Sequence, residues 1–355
     1  MGGDHAPREV VRGALEAART YPELRLLLVG RPDEVLEEVD LVGGKASSIE
    51  VVPAEHVIGM GDSPVEALRR KKGSSIEVAT RLVRTGDAAA MISAGNTGAC
   101  VAAGTILLGL LPGVRRAGIA VCLQAGAHSV VVIDVGANIS SKPEHLIQYG
   151  IMAGLYARSV LRLENPRVGL LNIGEENEKG NSLVKSTNAM FRKTRLNFQG
   201  NIEGVEIFRG VCDVVVCDGF VGNIVLKVSE GLAEQLVDLI RGTVEQVLRS
   251  LPARATSVLE GAAIPAVTFG ESESSDPVAL LERRLRAAFV SMREKIDYAE
   301  YGGAPLLGVN GVMIIAHGRS DAKAIASAVR VAKRMVETDI KRHITEEIHA
   351  LMEQA

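Results

Sequence analysis

Val130-Val131-Val132-Ile133-Asp134-Val135-Gly136-Ala137-Asn138 is the stretch that decides the fold. A β-branched run with no polar alternation describes a strand covered on both faces, as in a sheet flanked by two helix layers. It stops at a glycine-containing polar turn, after which Pro143 opens a helical pattern that carries His145 to Val160.

The same arrangement recurs outward from this run. Residues 88–93 precede Ser93-Ala94-Gly95-Asn96-Thr97-Gly98, and residues 168–173 lead into Asn172-Ile173-Gly174-Glu175-Glu176. Residues 211–217 precede Asp218-Gly219-Phe220-Val221-Gly222-Asn223, and residues 312–316 precede Ala316-His317-Gly318-Arg319-Ser320. Strands at 24–29 and 48–52 alternate with helices at 8–20 and 32–39, helices fill 63–85 and 97–111, and two more close the chain at 321–335 and 336–353. This alternation predicts an α/β fold with a doubly wound, mostly parallel sheet. In such a sheet the five turns are expected to gather on one edge, where glycine admits a ligand to the backbone and helix starts suit an anion.

Two segments break the rhythm. Leu232, Leu236, Leu239, Ile240, Val244 and Val247 line one face of a helix within 224–250, and Leu281, Leu285, Phe289, Met292 and Ile296 do so within 277–298. With the connector 251–276, read as mobile, they predict a projecting helical pair that forms a homodimer contact or, second, touches a membrane surface.

Composition excludes several classes. Aromatic residues are 3% with no Trp against 47% hydrophobic, so the core is aliphatic and base-stacking nucleic-acid binding is disfavoured. A net charge of −3 without a long basic block argues the same way. Cys100, Cys122, Cys212 and Cys217 lack CxxC spacing and read as buried thiols. With no signal peptide ahead of the first motif and no uncharged apolar run near ~20 residues, a cytoplasmic protein is expected.

The polar turns carry Asn96, Asn138, Asn223 and Lys179 without a recognisable Ser-His-Asp pattern. Amides and a cation on glycine-rich turns suit holding an oxyanion, with Ser93, Gly95, Asn96, Thr97 and Gly98 as the leading phosphate turn. Asp4 and His5 precede Pro7 at a helix start, and His317 follows a strand, so all three are placed at the rim. Asp134 and Asp218 lack further paired carboxylates, so no metal and no cofactor are expected.

Taken with their flanks, these motifs resemble the bacterial phosphate acyltransferase (PlsX) family along nearly the whole chain. They are Met1-Gly2-Gly3-Asp4-His5-Ala6-Pro7, Arg69-Arg70-Lys71-Lys72-Gly73-Ser74-Ser75, the turns at 93–98 and 134–138, and Lys142-Pro143-Glu144-His145-Leu146. Further on come 170–176, Lys179-Gly180-Asn181, Gly200-Asn201-Ile202-Glu203-Gly204, 217–227 and Tyr301-Gly302-Gly303-Ala304-Pro305-Leu306-Leu307-Gly308.

The resemblance implies a single α/β catalytic domain over 1–355, similar to phosphotransacetylases and isopropylmalate dehydrogenases. It implies transfer of a long-chain fatty acyl group from acyl carrier protein to inorganic phosphate, giving acyl phosphate that a membrane acyltransferase uses for phospholipid synthesis. A peripheral position at the inner face of the membrane fits that role. The family's catalytic lysine and asparagine fall on Lys179 and Asn223, with His5 as a general acid to the departing thiol. Asp4, Ser93, Gly95, Asn96, Thr97, Gly98, Asn138, Gly222 and His317 are the phosphate or substrate residues. Arg69, Arg70, Lys71 and Lys72 form a basic patch suited to docking an acidic carrier protein.

Two departures stand out: family members carry a short strand ahead of the Gly-Gly-Asp-His motif, and Ala117-Gly118 replaces Pro-Ala. The competing readings are a phosphotransacetylase-like enzyme using acyl-CoA, a non-catalytic regulator that binds acyl carrier protein, and a dehydrogenase of the related fold.

Overall fold

In the computed structural model, which describes residues 1–43, 49–125, 128–250, 287 and 302–352, the Val130–Ile133 run lies inside the central sheet. The first half of the chain runs α1 (Arg8–Thr20), β1 (Leu26–Gly30), α2 (Pro32–Leu41), β2 (Ile49–Pro53), α3 (Pro64–Arg70), α4 (Ser75–Thr85), β3 (Ala90–Ser93), α5 (Thr97–Ala103), β4 (Gly118–Ala125) and β5 (His128–Ile133). The second half runs α6 (Pro143–Ser159), β6 (Arg167–Leu171), α7 (Ser182–Phe191), β7 (Asn197–Ile202), β8 (Val214–Val216), α8 (Gly219–Ser250), β9 (Ala304–Leu307), β10 (Val312–Ile315), α9 (Ala322–Glu337) and α10 (Ile340–Met352).

β1 and β2 form a two-stranded parallel sheet, and the other eight strands pair in the order β3-β10-β9-β4-β5-β8-β6-β7. The reason for two helix layers is visible in β5. Val130 and Val132 enter the apolar cluster that holds Ile76 of α4 and Ala99 of α5, while Val131 and Ile133 enter the one that holds Leu146 of α6 and Ile344 of α10. Consecutive side chains of a strand point to opposite faces, so a strand apolar at every position needs cover on both. α6 is buried along nearly its whole length, from His145 to Ala157, as expected of a helix apolar on all sides.

The sheet is mixed at its centre. β3 runs parallel to β10, and β5, β8, β6 and β7 run parallel to one another, but β9 is antiparallel to both β10 and β4, and β4 is antiparallel to β5. The two parallel blocks therefore run in opposite directions. The turns after β3 and β10 point the opposite way along the sheet from those after β5, β6 and β8, while the register sets Ile315 of β10 about level with Val132 of β5. The strands responsible, β4 and β9, carry no glycine-turn-helix signature after them, so the sequence pattern passes over them.

The chain divides into two compact units, Met1–Leu226 with Tyr298–Ala355, and Lys227–Asp297. In the second, α8 exposes Leu232, Leu236, Leu239 and Ile240. The connector 251–276 and, apart from Ala287, the second helix expected at 277–298 lie outside the described residues. Among the described residues no helix is long and apolar enough to cross a membrane. The four cysteines are free and buried, and burial pushes the thiols of Cys100, Cys122 and Cys212 up to about 11.

Candidate active site

The carboxyl ends of β5, β8 and β6 lie side by side and in register, with Ile133 opposite Val216 and Val216 opposite Leu170. Neighbouring strands are about 4.8 Å apart, so the three turns rise from roots spread over only ~10 Å. β8 is the middle strand, which sets the start of α8 between the turn at 134–138 and the loop at 172–181.

Asp134 organises the first turn. Its fully buried carboxylate accepts from the backbone N–H groups of Ile119, Gly136 and Ala137 on one oxygen and from Asn138 on the other, at 2.8–3.1 Å. Burial pushes this carboxyl up, against the pull of those donors. The Asn138 side-chain amide donates to the Ala117 carbonyl at 2.6 Å and to the Tyr149 hydroxyl at 2.8 Å. Asn138, expected to bind phosphate, instead spends its donors inside the protein.

α8 is seated on that turn by glycines. A Cβ at Gly222 would overlap the Asp134 carbonyl, so the expected ligand contact at Gly222 is replaced by close packing. The first N–H groups of α8 are also occupied: Gly219 donates to the Asn138 carbonyl, and Phe220 and Val221 donate to the Asp218 carboxylate at 3.0 and 3.1 Å. What this packing leaves facing outward is Asn223, one residue past Gly222 and exposed. Its Oδ1 lies 3.4 Å from where a Cβ at Gly136 would stand, so the amide rests on the bare face of that glycine.

The third loop presents Lys179. The Asn172 amide donates to the carbonyls of Gly174 at 2.9 Å and Lys179 at 3.2 Å. Gly180 takes φ +93°, and a side chain there would overlap Asn172. From outside, Asn201 donates to the Glu176 carbonyl at 3.0 Å and is itself held by Asn188 at 2.8 Å. The Lys179 ammonium pairs with Glu176 at 2.8 Å; that hydrogen bond, with the nearby Glu203 and Glu175, raises its pKa, so it is cationic at neutral pH. Of these supports, Asn172 and Asn201 stand in motifs legible in the sequence, whereas Asn188 carries no separate signal there.

The turns after β3 and β10 gather a second set. The Asp4 amide donates to the Gly318 carbonyl at 2.8 Å, and a Cβ at Gly3 would stand 2.9 Å from the Ala94 carbonyl. The N-terminal motif therefore meets the turns after β3 and β10. Asp4, His5 and Thr97 are exposed there, Gly98 packs on Pro64, and the imidazole of His317 accepts from the Arg319 amide. Ser93 accepts from the Gly95 amide at 3.2 Å. Asn96 is buried: its amide N–H groups face the carbonyls of Gly59, Met60 and Asp62 at 3.1–3.2 Å, and its oxygen caps α5 by accepting from Ala99 at 2.9 Å. Its expected phosphate contact gives way to an internal tie.

The structure thus sets Lys179 and Asn223 on the segments after β6 and β8, and Asn96, Asp4, His5 and His317 on or beside the turns after β3 and β10. In the basic patch, Lys71 is bound to Asp62 at 2.5 Å and to the Val57 carbonyl, and Arg70 to Glu66, while Arg69 and Lys72 are exposed. Among the described residues no cluster of His, Cys, Asp and Glu is arranged to hold a metal ion.

Solved structures share this architecture. A phosphotransacetylase from Streptococcus pyogenes superposes with a TM-score of 0.58 at 15% identity, covering 92% of this chain and 91% of its own. A phosphotransacetylase from Staphylococcus aureus gives 0.54 at 14%, covering 93% and 92%. The likeness shows a phosphotransacetylase-like α/β fold.

Sequence comparison is more specific. A family model described as "Fatty acid synthesis protein" matches residues 1–264 and 254–343. The phosphate acyltransferase of Heliobacterium modesticaldum is 46% identical over 99% of this chain and 97% of its own length. That of Halothermothrix orenii is 42% identical over 98% and 97%. The chain belongs to the phosphate acyltransferase family.

Proposed function

We infer that the chain is an enzyme that transfers an acyl group to inorganic phosphate, in the service of fatty acid and phospholipid synthesis. The donor we propose is a long-chain acyl thioester of acyl carrier protein, and the catalytic edge is the one that carries Lys179 and Asn223. A phosphate oxygen bonds to the acyl carbon, the carbon–sulfur bond breaks, and the phosphate proton passes to the departing thiolate. Phosphate is itself the nucleophile, so the protein's part is to position it and to stabilise charge on the carbonyl oxygen. Lys179 serves the phosphate and Asn223 the thioester oxygen.

One observation carries it. The edge that offers a cation and an amide also exposes large apolar side chains: Ile139 at 79%, Ile173 at 78%, and Phe220 and Ile224 on α8. A fatty acyl substrate needs this conjunction of a charged spot and an apolar path; a small polar substrate does not.

The exposed stripe of α8 supports a homodimer as its partner and a membrane surface as the second choice, and Arg69 and Lys72 are the free cations offered to the carrier. Acyl-CoA is the competing donor. Parallel assays with C16 acyl carrier protein and C16 acyl-CoA, each with and without phosphate, separate the two. Faster phosphate-dependent release of thiol from the carrier supports the proposal, and turnover of acyl-CoA alone replaces it.

A further inference from the structure

The Lys179 ammonium already holds an anionic partner. Glu176 Oε2 stands 2.8 Å from its Nζ, within the range of a charge-assisted hydrogen bond. The pair is folded down over Gly174. A Cβ at Gly174 would overlap Lys179 Cδ and stand 2.9 Å from both Lys179 Nζ and Glu176 Oε2, so its three nearest atoms all belong to this pair. The lysine stem and the carboxylate are thus stowed on the bare face of that glycine, against their own loop.

The loop beneath them is tied down. Asn172 donates to the carbonyls of Gly174 and Lys179, Asn201 donates to that of Glu176, and Arg192 donates to the Asn177 side chain at 2.7 Å. With the backbone held at 174, 176 and 179, the freedom that remains is in the two side chains, 49% exposed for Lys179 and 59% for Glu176. Either can leave the other by rotation alone.

Resting on the reading of Lys179 as the phosphate residue, we propose that Glu176 is a positioning residue: in the free enzyme its carboxylate takes the phosphate's place on Lys179, and inorganic phosphate binds by displacing it. Two anions on one ammonium repel each other, so bound phosphate turns the carboxylate out. An incoming anion therefore gains only what it offers beyond Glu176. Acetate offers a like charge and nothing more, whereas a phosphate dianion offers a second charge and further acceptor oxygens. The pair closes Lys179 to single carboxylates and leaves it open to phosphate. Being exposed, the pair is weak enough for phosphate to break.

The test measures the KM for inorganic phosphate at saturating C16 acyl carrier protein, and the Kd for inorganic phosphate by titration calorimetry without the thioester. The chains compared are the parent, Glu176→Gln, Gly174→Ala, Glu175→Gln and Lys179→Ala. In Glu176→Gln both KM and Kd are expected to fall about threefold, the size of effect an exposed pair can exert, with kcat changed less. Gly174→Ala keeps every charge but puts a methyl where only the flexible ends of the pair stand, and it should give the same fall. Combined, the two substitutions should gain no more than either alone. Glu175→Gln removes the same charge from beside the pair and should give a smaller fall. Acetate at matched ionic strength should raise the phosphate KM in Glu176→Gln and not in the parent.

A phosphate KM in Glu176→Gln or in Gly174→Ala at or above the parental value overturns the proposal. So does an equal fall in Glu175→Gln, which assigns the effect to charge acting at a distance. Full turnover by Lys179→Ala removes instead the reading on which the proposal rests. Loss of turnover in Lys179→Ala, with parental phosphate affinity in Glu176→Gln, removes the proposal alone.

Discussion

Three of the asparagines on polar turns, Asn96, Asn138 and Asn223, are site candidates in the sequence, and at the scale of single residues the structure separates them. Asn96 and Asn138 have their amides committed to internal carbonyls, whereas Asn223 is exposed and rests on Gly136. Substitution should sort them the same way. Asn223→Ala and Lys179→Ala are expected to lower kcat/KM by about 10²–10³-fold with little change in the unfolding midpoint, since each removes a donor to developing charge. Asn96→Ala removes a helix cap and should cost about 1–2 kcal/mol of stability, read by urea denaturation, while kcat/KM per folded molecule stays within about threefold. The sequence marks all three asparagines alike because a side chain that caps a turn and one that meets a ligand have the same local pattern. Only the partners, the carbonyls of Gly59, Met60 and Asp62 for Asn96 and Ala117 with Tyr149 for Asn138, tell them apart.

Between elements, the joints that hold the catalytic edge are the start of α8 and the β6–β8 pair. A methyl group at Gly222 would overlap the Asp134 carbonyl, so Gly222→Ala must move α8 away from the β5 turn. Activity and unfolding midpoint should then fall together, unlike the Asn223→Ala case. The β6–β8 joint is made by Arg167, whose backbone N–H and guanidinium donate to Asp213 at 2.8–3.1 Å. Burial alone would push the Asp213 carboxyl up, but the Arg167 bonds outweigh it and hold it below the usual carboxylate range. A lowered folded pKa gives stability that is complete above the unfolded pKa of about 3.9 and is lost as pH falls through the folded value. Asp213→Asn should therefore lower the midpoint at pH 7, with the gap to the parent chain closing as the pH falls below the unfolded carboxyl pKa of about 3.9 and on through the lower folded value. The glycine turns themselves are legible in the sequence, and α8 is legible from its apolar spacing. Gly118–Ala125 and Ala304–Leu307 are not, because their neighbours in the sheet are remote in sequence and no glycine turn leads from either into a helix.

For the whole molecule, those two strands matter most. They reverse the direction of the sheet, so motifs that read as one rim come from two strand blocks that run in opposite directions. The alternation of apolar strands and helices carries the fold class, and long motifs such as 170–176 and 217–227 carry the family. What they do not carry is which turns stand together. The account that survives places the chemistry on the β5–β8–β6 edge, with Lys179, Asn223 and the exposed apolar side chains around them. Its central claim is tested most directly by incubating the purified enzyme with C16 acyl carrier protein and inorganic phosphate, and measuring acyl phosphate as its hydroxamate. The account predicts product that requires phosphate and falls by about 10²–10³-fold in Lys179→Ala. Acyl phosphate formed at the parental rate by a folded Lys179→Ala protein would contradict it.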